Sequence, residues 1–355
     1  MEYKKLGDIA TYINGYAFKP EDRGEEGLPI IRIQDLTGNS YDLGFYDGEY
    51  PEKIEINNGD VLISWSASLG VYVWTKGKAL LNQHIFKVVF DKIDIDKSYF
   101  VYAVRRKLDD IVSKTHGATM KHIVKKDFDA TQIPYPSLEE QAKIASKLDR
   151  VSRIIKSRNE ELEKLDELIK ARFVEMFGKE EHREKLIKLC KFINGDRGKN
   201  YPSGTDIVDS GVPFINAGHL EGNKIDFSNM NYITEEKYQM LNSGKIQLDD
   251  ILYCLRGSLG KKAIVEFEMG AIASSLVILR SFGEIEPIFL LYSLEQPYIL
   301  EQMNKANNGS SQPNLSAQSV KYYNVILPSR EKQLEFADFV KQVDKSKFAE
   351  LNYAA

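Results

Sequence analysis

Residues 136–177, PSLEEQAKIASKLDRVSRIIKSRNEELEKLDELIKARFVEMF, decide how the whole chain is organised. Ser137, Leu138, Glu139 and Glu140 make an S-x-x-E capping box, which predicts a helix beginning at Ser137. Alternate steps of three and four from Gln141 reach Ile144, Leu148, Val151, Ile155, Arg158, Leu162, Leu165, Ile169, Arg172 and Met176. Eight of these eleven positions are apolar, a sustained heptad seam. Gly178 supplies the stop. Such a helix is about 60 Å long, too long to be buried in one small domain. It predicts a strut in need of a partner helix.

On either side of the strut the sequence repeats, at an offset that grows from 180 to 192 residues. Ile13-Asn14-Gly15 returns as Ile193-Asn194-Gly195, and Leu28-Pro29-Ile30-Ile31 as Val212-Pro213-Phe214-Ile215. Asn58-Gly59-Asp60-Val61-Leu62 matches Leu248-Asp249-Asp250-Ile251-Leu252, and Ser68-Leu69-Gly70 matches Ser258-Leu259-Gly260. Gly117-Ala118-Thr119 aligns with Gly309-Ser310-Ser311. Ile133-Pro134-Tyr135-Pro136-Ser137 aligns with Val325-Ile326-Leu327-Pro328-Ser329, and a glutamine follows in both halves. Each copy reads as short strands, a helix (99–113 and 287–304), a polar glycine loop, a last strand, and a proline-serine start to a long helix. The predicted fold is therefore α+β: two similar mixed α/β domains separated by long antiparallel coiled-coil-like helices, with a pseudo-two-fold internal repeat. The boundaries fall at 1–136, strut 137–178, charged linker 179–187, 188–328, and a short distal helix 329–355.

A chain of 355 residues with 43% hydrophobic content can fill two cores. Residues 61–74 are too short and too polar to span a bilayer, and the first residues lack a signal-peptide core. Two well-separated cysteines, Cys190 and Cys254, point to a reduced compartment, with the cytoplasm as the expectation. A net charge of −4 argues against general coating of nucleic acid but leaves room for local basic faces. Two exist: residues 114–126, and residues 143–158 with six bases against Asp149.

Catalytic motifs are missing from the sequence. No Gly-Lys pair sits in a Walker-type loop, and neither H-E-x-x-H nor C-x-x-C occurs. His116 and His122, six apart in a basic loop, favour phosphate or base contact over a metal. Asp60 and Asp250 read as turn residues before apolar strands. A stand-alone nuclease or methyltransferase is disfavoured on these grounds.

Three loop sites recur in both halves with chemistry suited to nucleic acid. The first holds Ser64, Trp65 and Ser66 in one copy, and Arg256, Ser258, Lys261 and Lys262 in the other. The second holds Gln83 and His84 against Ser274 and Ser275. The third holds Lys114, His116, Thr119, Lys121, His122 and Lys125 against Asn308, Ser310, Ser311 and Gln312. Arg197 and Lys199 complete the candidate set. Arg, Asn and Gln can bond base edges bidentately, whereas Lys and Ser mostly position a protein on phosphates. The framework text is kept between copies while these loops differ, as expected of two readers of two sequences. A globule of about 135 residues is about 36 Å across, close to one DNA turn, so a bipartite target with an unread gap is the geometric expectation.

The chain resembles a type I restriction-modification specificity subunit over essentially its whole length. The resemblance rests on Leu6-Gly7-Asp8-Ile9, on Gly59-Asp60-Val61-Leu62, and on Pro136-Ser137-Leu138-Glu139-Glu140-Gln141-Ala142-Lys143-Ile144. The order of globule, long helix, globule, helix belongs to it too. It implies two target recognition domains on double-stranded DNA, helices that dock two methyltransferase subunits, and restriction subunits where a nuclease partner exists. It implies no cofactor in this chain: S-adenosylmethionine would sit in the methyltransferase, ATP and magnesium in the motor-nuclease. The distal helix is shorter than the resemblance implies, so the seam at 162–176 is expected to be unpaired and open to self-association or another protein. A coiled-coil protein-binding adaptor, or a truncated inactive specificity subunit, is the alternative reading.

Overall fold

The computed structural model describes residues 2–39, 42–114, 124–307 and 314–352, with the side chains of 110–114 and 348–352 left outside the description. The chain divides into two compact units, Met1–Ser157 and Arg158–Ala355.

The first unit is built on two small sheets. One has the order Thr11–Asn14, Ile85–Val89, Val61–Ser64, Gly70–Val73, all antiparallel. The other has the order Phe45–Tyr46, Leu28–Ile31, Ala79–Leu81, Glu55–Ile56, with a parallel pair at its centre that sets Ile30 against Leu80. Val61–Ser64 is buried along its whole length and shares its side chains between the two cores: Val61 and Ile63 face one, Leu62 the other. A strand covered on both faces must be apolar throughout, which is why this run shows no alternation. The ribbon Tyr3–Lys5 with Gln132–Pro134 ties the start of the unit to its end.

The second unit repeats this plan. Its sheets run Cys190–Asn194, Leu276–Ser281, Ile251–Cys254, Lys262–Ile264, and Ile207–Val208, Asn231–Ile233, Val212–Ile215, Ala271–Ile272. The parallel pair recurs with Phe214 against Ala271, and the ribbon recurs as Arg183–Lys185 with Asn324–Ile326. One expectation is corrected here. The helix foreseen over 287–304 is two helices, Pro287–Ser293 and Pro297–Ala306, because Pro297 has no N–H to give and its ring excludes a continuing turn.

Asp60 and Asp250 close the turns before the buried strands. Asp60 Oδ2 accepts from Asn57 N at 2.8 Å and Asp250 Oδ2 from Gln247 N at 2.7 Å. Each also meets a cation, Lys87 at 3.2 Å and Arg280 at 2.7 Å. Gly59 before Asp60 has φ +90°, and Asp249 takes the matching place with φ +65°. Aspartate tolerates the left-handed region better than most residues.

The central helix spans Leu138–Phe177, and the capping box forms: Glu140 N donates to Ser137 Oγ at 3.3 Å, and Ser137 N donates to Glu140 Oε2 at 3.2 Å. Gln141 is fully buried. Its Oε1 accepts from Asp96 N (2.9 Å) and its Nε2 donates to Pro136 O (2.9 Å), while Asp96 Oδ1 caps the helix Lys97–Lys114 through Tyr99 N (2.8 Å). The second unit builds the same clamp. Gln333 Oε1 accepts from Glu286 N (2.8 Å), its Nε2 donates to Pro328 O (2.9 Å), and Glu286 Oε2 caps the next helix through Phe289 N (2.7 Å).

The seam behaves differently along its length. Ile169, Phe173 and Phe177 are buried with Phe336, Val340 and Val343 of the distal helix, Arg330–Asn352, which runs antiparallel: Arg172 meets Glu335 at 2.9 Å and Asp166 meets Lys347 at 2.6 Å. Leu162, Leu165 and Met176 are half-buried. The expectation of an open seam at 162–176 is therefore overturned. The bare part is 144–155, where Ile144, Leu148, Val151, Ile154 and Ile155 are all exposed. The helix docks on the first unit by another face: Gln141 and Ala145 are buried, and Asp149 and Ser152 meet Tyr102 Oη at 2.8 and 3.0 Å.

Replacing Gln333 by Ala should destabilise the second unit by about 2–6 kcal/mol, because it leaves two groups, Glu286 N and Pro328 O, buried without partners. Urea unfolding of the full chain checks this, and an unchanged midpoint would show the clamp to be dispensable.

Candidate nucleic-acid interface

The first two loop sites singled out in the sequence meet at one end of each unit's antiparallel sheet, and most of the third lies outside the described residues. In the first unit, Trp65 N donates to His84 O at 3.2 Å, which joins the turn after Val61–Ser64 to the turn before Ile85–Val89. The Trp65 ring stacks over Phe86 at 5.6 Å and meets His84 edge-on at 4.9 Å, and its Nε1 donates to Asn14 Oδ1 at 3.3 Å. Lys125 Nζ lies 5.8 Å over the Phe86 ring and 5.7 Å over Tyr12, while pairing with Asp129 at 2.7 Å. Burial pushes the Tyr12 phenol well above its ordinary range. Gly15 explains the repeated Ile-Asn-Gly text: a Cβ there would lie 2.0 Å from Asn82 O, and one on Gly195 would lie 2.6 Å from Ala273 O. These glycines let the neighbouring turn approach.

Two residues at this end stand in the left-handed region, Ala67 (φ +57°) and His84 (φ +74°). Gln83 is exposed and His84 half-buried, with its Nδ1 buried and unpartnered. Ser64 and Ser66 are buried, and Ser64 Oγ donates to Ser68 O at 2.5 Å, so Ser64 shapes the turn from inside. The side chain of Lys114, and His116, Thr119, Lys121 and His122 altogether, lie outside the described residues.

The second unit builds the same junction with other side chains. Leu255 N donates to Ser275 O at 2.9 Å, Leu315 N donates to Leu255 O at 2.8 Å, and Arg256 bridges Asn314. Arg256 and Ser258 are exposed; Ser274 and Ser275 are half-buried. Lys261 donates to Leu220 O (3.2 Å) and pairs with Glu221 (3.3 Å). Lys262 is buried 3.7 Å from Glu295, and burial holds its pKa below the usual lysine range. Arg197 and Lys199 are exposed on the loop that begins at Gly195, beside Ala273. Asn308, Ser310, Ser311 and Gln312 lie outside the described residues. Among the described residues no group of three His, Cys, Asp or Glu is placed to hold a metal ion, and no helix is long and apolar enough to cross a membrane.

The doubled frame with divergent loop ends has a counterpart among known proteins. The type I restriction modification DNA specificity domain matches residues 1–165 and again 185–352. The chain belongs to that family. The EcoBI specificity subunit of Escherichia coli is 26% identical over 373 residues, covering 95% of this chain and 78% of that one. The MjaVIII specificity subunit of Methanocaldococcus jannaschii is 25% identical over 368 residues, covering 97% and 86%. The S subunit of a type I restriction-modification system from M. genitalium shares the fold, with a TM-score of 0.60 at 17% identity over 99% of this chain and 91% of that one.

The sequence singled out Trp65, His84 and Lys125 but not Asn14, Tyr12 and Phe86, against which Trp65 and Lys125 rest. The repeated Ile-Asn-Gly text was the available signal for Asn14. The left-handed turn gives a test. Gly257 (φ +81°) stands where the first unit has Ala67, so Ala67→Gly should stabilise the first unit by about 0.5–1 kcal/mol, the cost of an L-residue in that region less the entropy of glycine. Calorimetry of the full chain reads it as a higher first-unit transition.

Proposed function

We propose that the chain supplies the sequence specificity of a type I restriction-modification complex by reading a split DNA target, one half with the loop end of each unit. It carries no catalytic step, in keeping with relatives named as specificity subunits. Subunits of this kind bind DNA and work with methyltransferase and restriction subunits. Methyl transfer, with its S-adenosylmethionine, belongs to the methyltransferase; ATP-driven cleavage belongs to the restriction subunit. The observation that carries the reading is the junction of two turns, Trp65 N to His84 O in one unit and Leu255 N to Ser275 O in the other, built twice on one frame with different chemistry. Trp65, His84 and Lys125 make an aromatic, cationic end in the first unit; Arg256, Ser274 and Ser275 make a polar one in the second.

The bare seam supports a docking role for the central helix. Ile144, Leu148, Val151, Ile154 and Ile155 form an exposed apolar stripe with Lys147, Arg150 and Arg153 exposed around it. Contiguous exposed apolar surface with a charged rim is suited to a protein partner. We assign it to a methyltransferase subunit.

Two experiments follow. Adenine-methylation mapping in cells holding this chain and its methyltransferase should show a bipartite motif absent without the chain, and Trp65→Ala should relax one half only. Relaxation of both halves by that single change would defeat the two-reader model. Leu148→Asp, on an exposed position, should leave the thermal transitions unchanged yet abolish co-purification of the methyltransferase; undiminished co-purification would move the docking surface elsewhere.

A further inference from the structure

We propose that Arg256 reads a guanine in the half-site of the second unit, an inference that rests on the split-target reading. Three observations converge on this side chain. Its backbone is pinned on both sides. Leu255 N donates to Ser275 O, Leu255 O accepts from Leu315 N, Arg256 itself bridges Asn314, and Cys254 Sγ donates to Arg256 O at 3.1 Å. Its guanidinium is exposed and, among the described residues, makes no hydrogen bond or ion pair, whereas nearby Lys261 and Lys262 are held by Glu221 and Glu295. Gly257 follows with φ +81° and no side chain to screen it.

A fixed root with a free planar fork suits base reading. Phosphate attraction needs only charge, which mobile lysines supply, whereas bidentate contact with guanine O6 and N7 needs the fork presented at a set place and angle. The buried strands align Val61–Ser64 with Ile251–Cys254, which puts Ser66, a buried residue, in the place of Arg256. The first unit therefore has no such reader at this position, and the guanine contact belongs to the second half-site alone.

The test is adenine-methylation mapping with the full chain and its methyltransferase. In Arg256→Ala, one G·C pair of one half-site should become degenerate, with discrimination falling by about ten- to a hundred-fold, while every other position is kept. Arg256→Gln should turn the preference at that pair toward adenine, which glutamine bonds bidentately. An unchanged motif, relaxation at a pair other than G·C, or a uniform fall in methylation with the motif intact would each overturn the inference, the last by making Arg256 a phosphate contact. Equal thermal transitions show that the variants fold. Should Arg256→Ala not fold, Arg256→Met keeps the unbranched stem without any donor to guanine O6 or N7, and an undiminished guanine preference in it would be equally fatal. A wild-type chain that yields no bipartite motif defeats the split-target reading itself; a bipartite motif indifferent to Arg256 defeats only this inference.

Discussion

The buried glutamine at the fourth position of each long helix is the contact on which the rest depends. Gln141 and Gln333 each join three pieces of chain: the helix they stand on, the proline carbonyl just before it, and the capping residue of an earlier helix. The pair of groups to be satisfied, one N–H and one C=O, needs a side chain that accepts and donates from adjacent atoms. Glutamate would bury a charge and could not donate to Pro136 O; asparagine is one methylene shorter. An apolar residue would leave both groups unpaired at a cost of about 1–3 kcal/mol each. This place in a helix commonly carries an apolar contact back to the residue before the cap. Here it is a polar one, which fixes direction as well as distance. Each unit is thereby coupled to its long helix by a bond that has one geometry.

That coupling explains how one helix serves two ends differently. Toward the first unit the central helix buries Gln141 and Ala145 and bonds Tyr102 Oη through Asp149 and Ser152. The heptad seam is thus left facing out at Ile144, Leu148, Val151 and Ile155. Toward the second unit the same seam is spent on the core, where Phe173 and Phe177 pack with Phe289 and Phe336. An apolar stripe kept bare while another face docks by polar contacts fits the partner-binding role proposed for it. A stripe left over from poor packing would have no such alternative anchor.

The repeat, the long helix and its capping box, and the loop positions were legible in the sequence because each rests on local text: a turn residue, a period, a cap. Even the glutamine pair was visible as a repeated letter, though not as a clamp, since its partners Asp96 and Glu286 stand some 45 residues upstream. What was not legible depends on tertiary placement. Ser64 and Lys262 look like surface-loop residues in the sequence and are buried, one beneath its own turn and the other beside Glu295. The open half of the seam was misplaced for the same reason: periodicity shows which residues share a face, and only the distal helix shows which stretch of that face is covered.

The two loop ends differ in a way that follows from the frame. Holding the buried strands, the glycine approaches and the turn hydrogen bonds constant leaves the solvent-facing side chains free to change at little cost in stability. Trp65 and Arg256 belong to turns held by equivalent backbone bonds, to His84 O in one unit and to Ser275 O, through Leu255, in the other. The core side chains beneath them trade bulk across the sheet: Ile63 stands opposite Phe86 in one unit, and Tyr253 opposite Val277 in the other. Specificity can then diverge between the units without either fold having to be rebuilt. A chain with two such ends can read two different half-sites, and each can change while the other is kept.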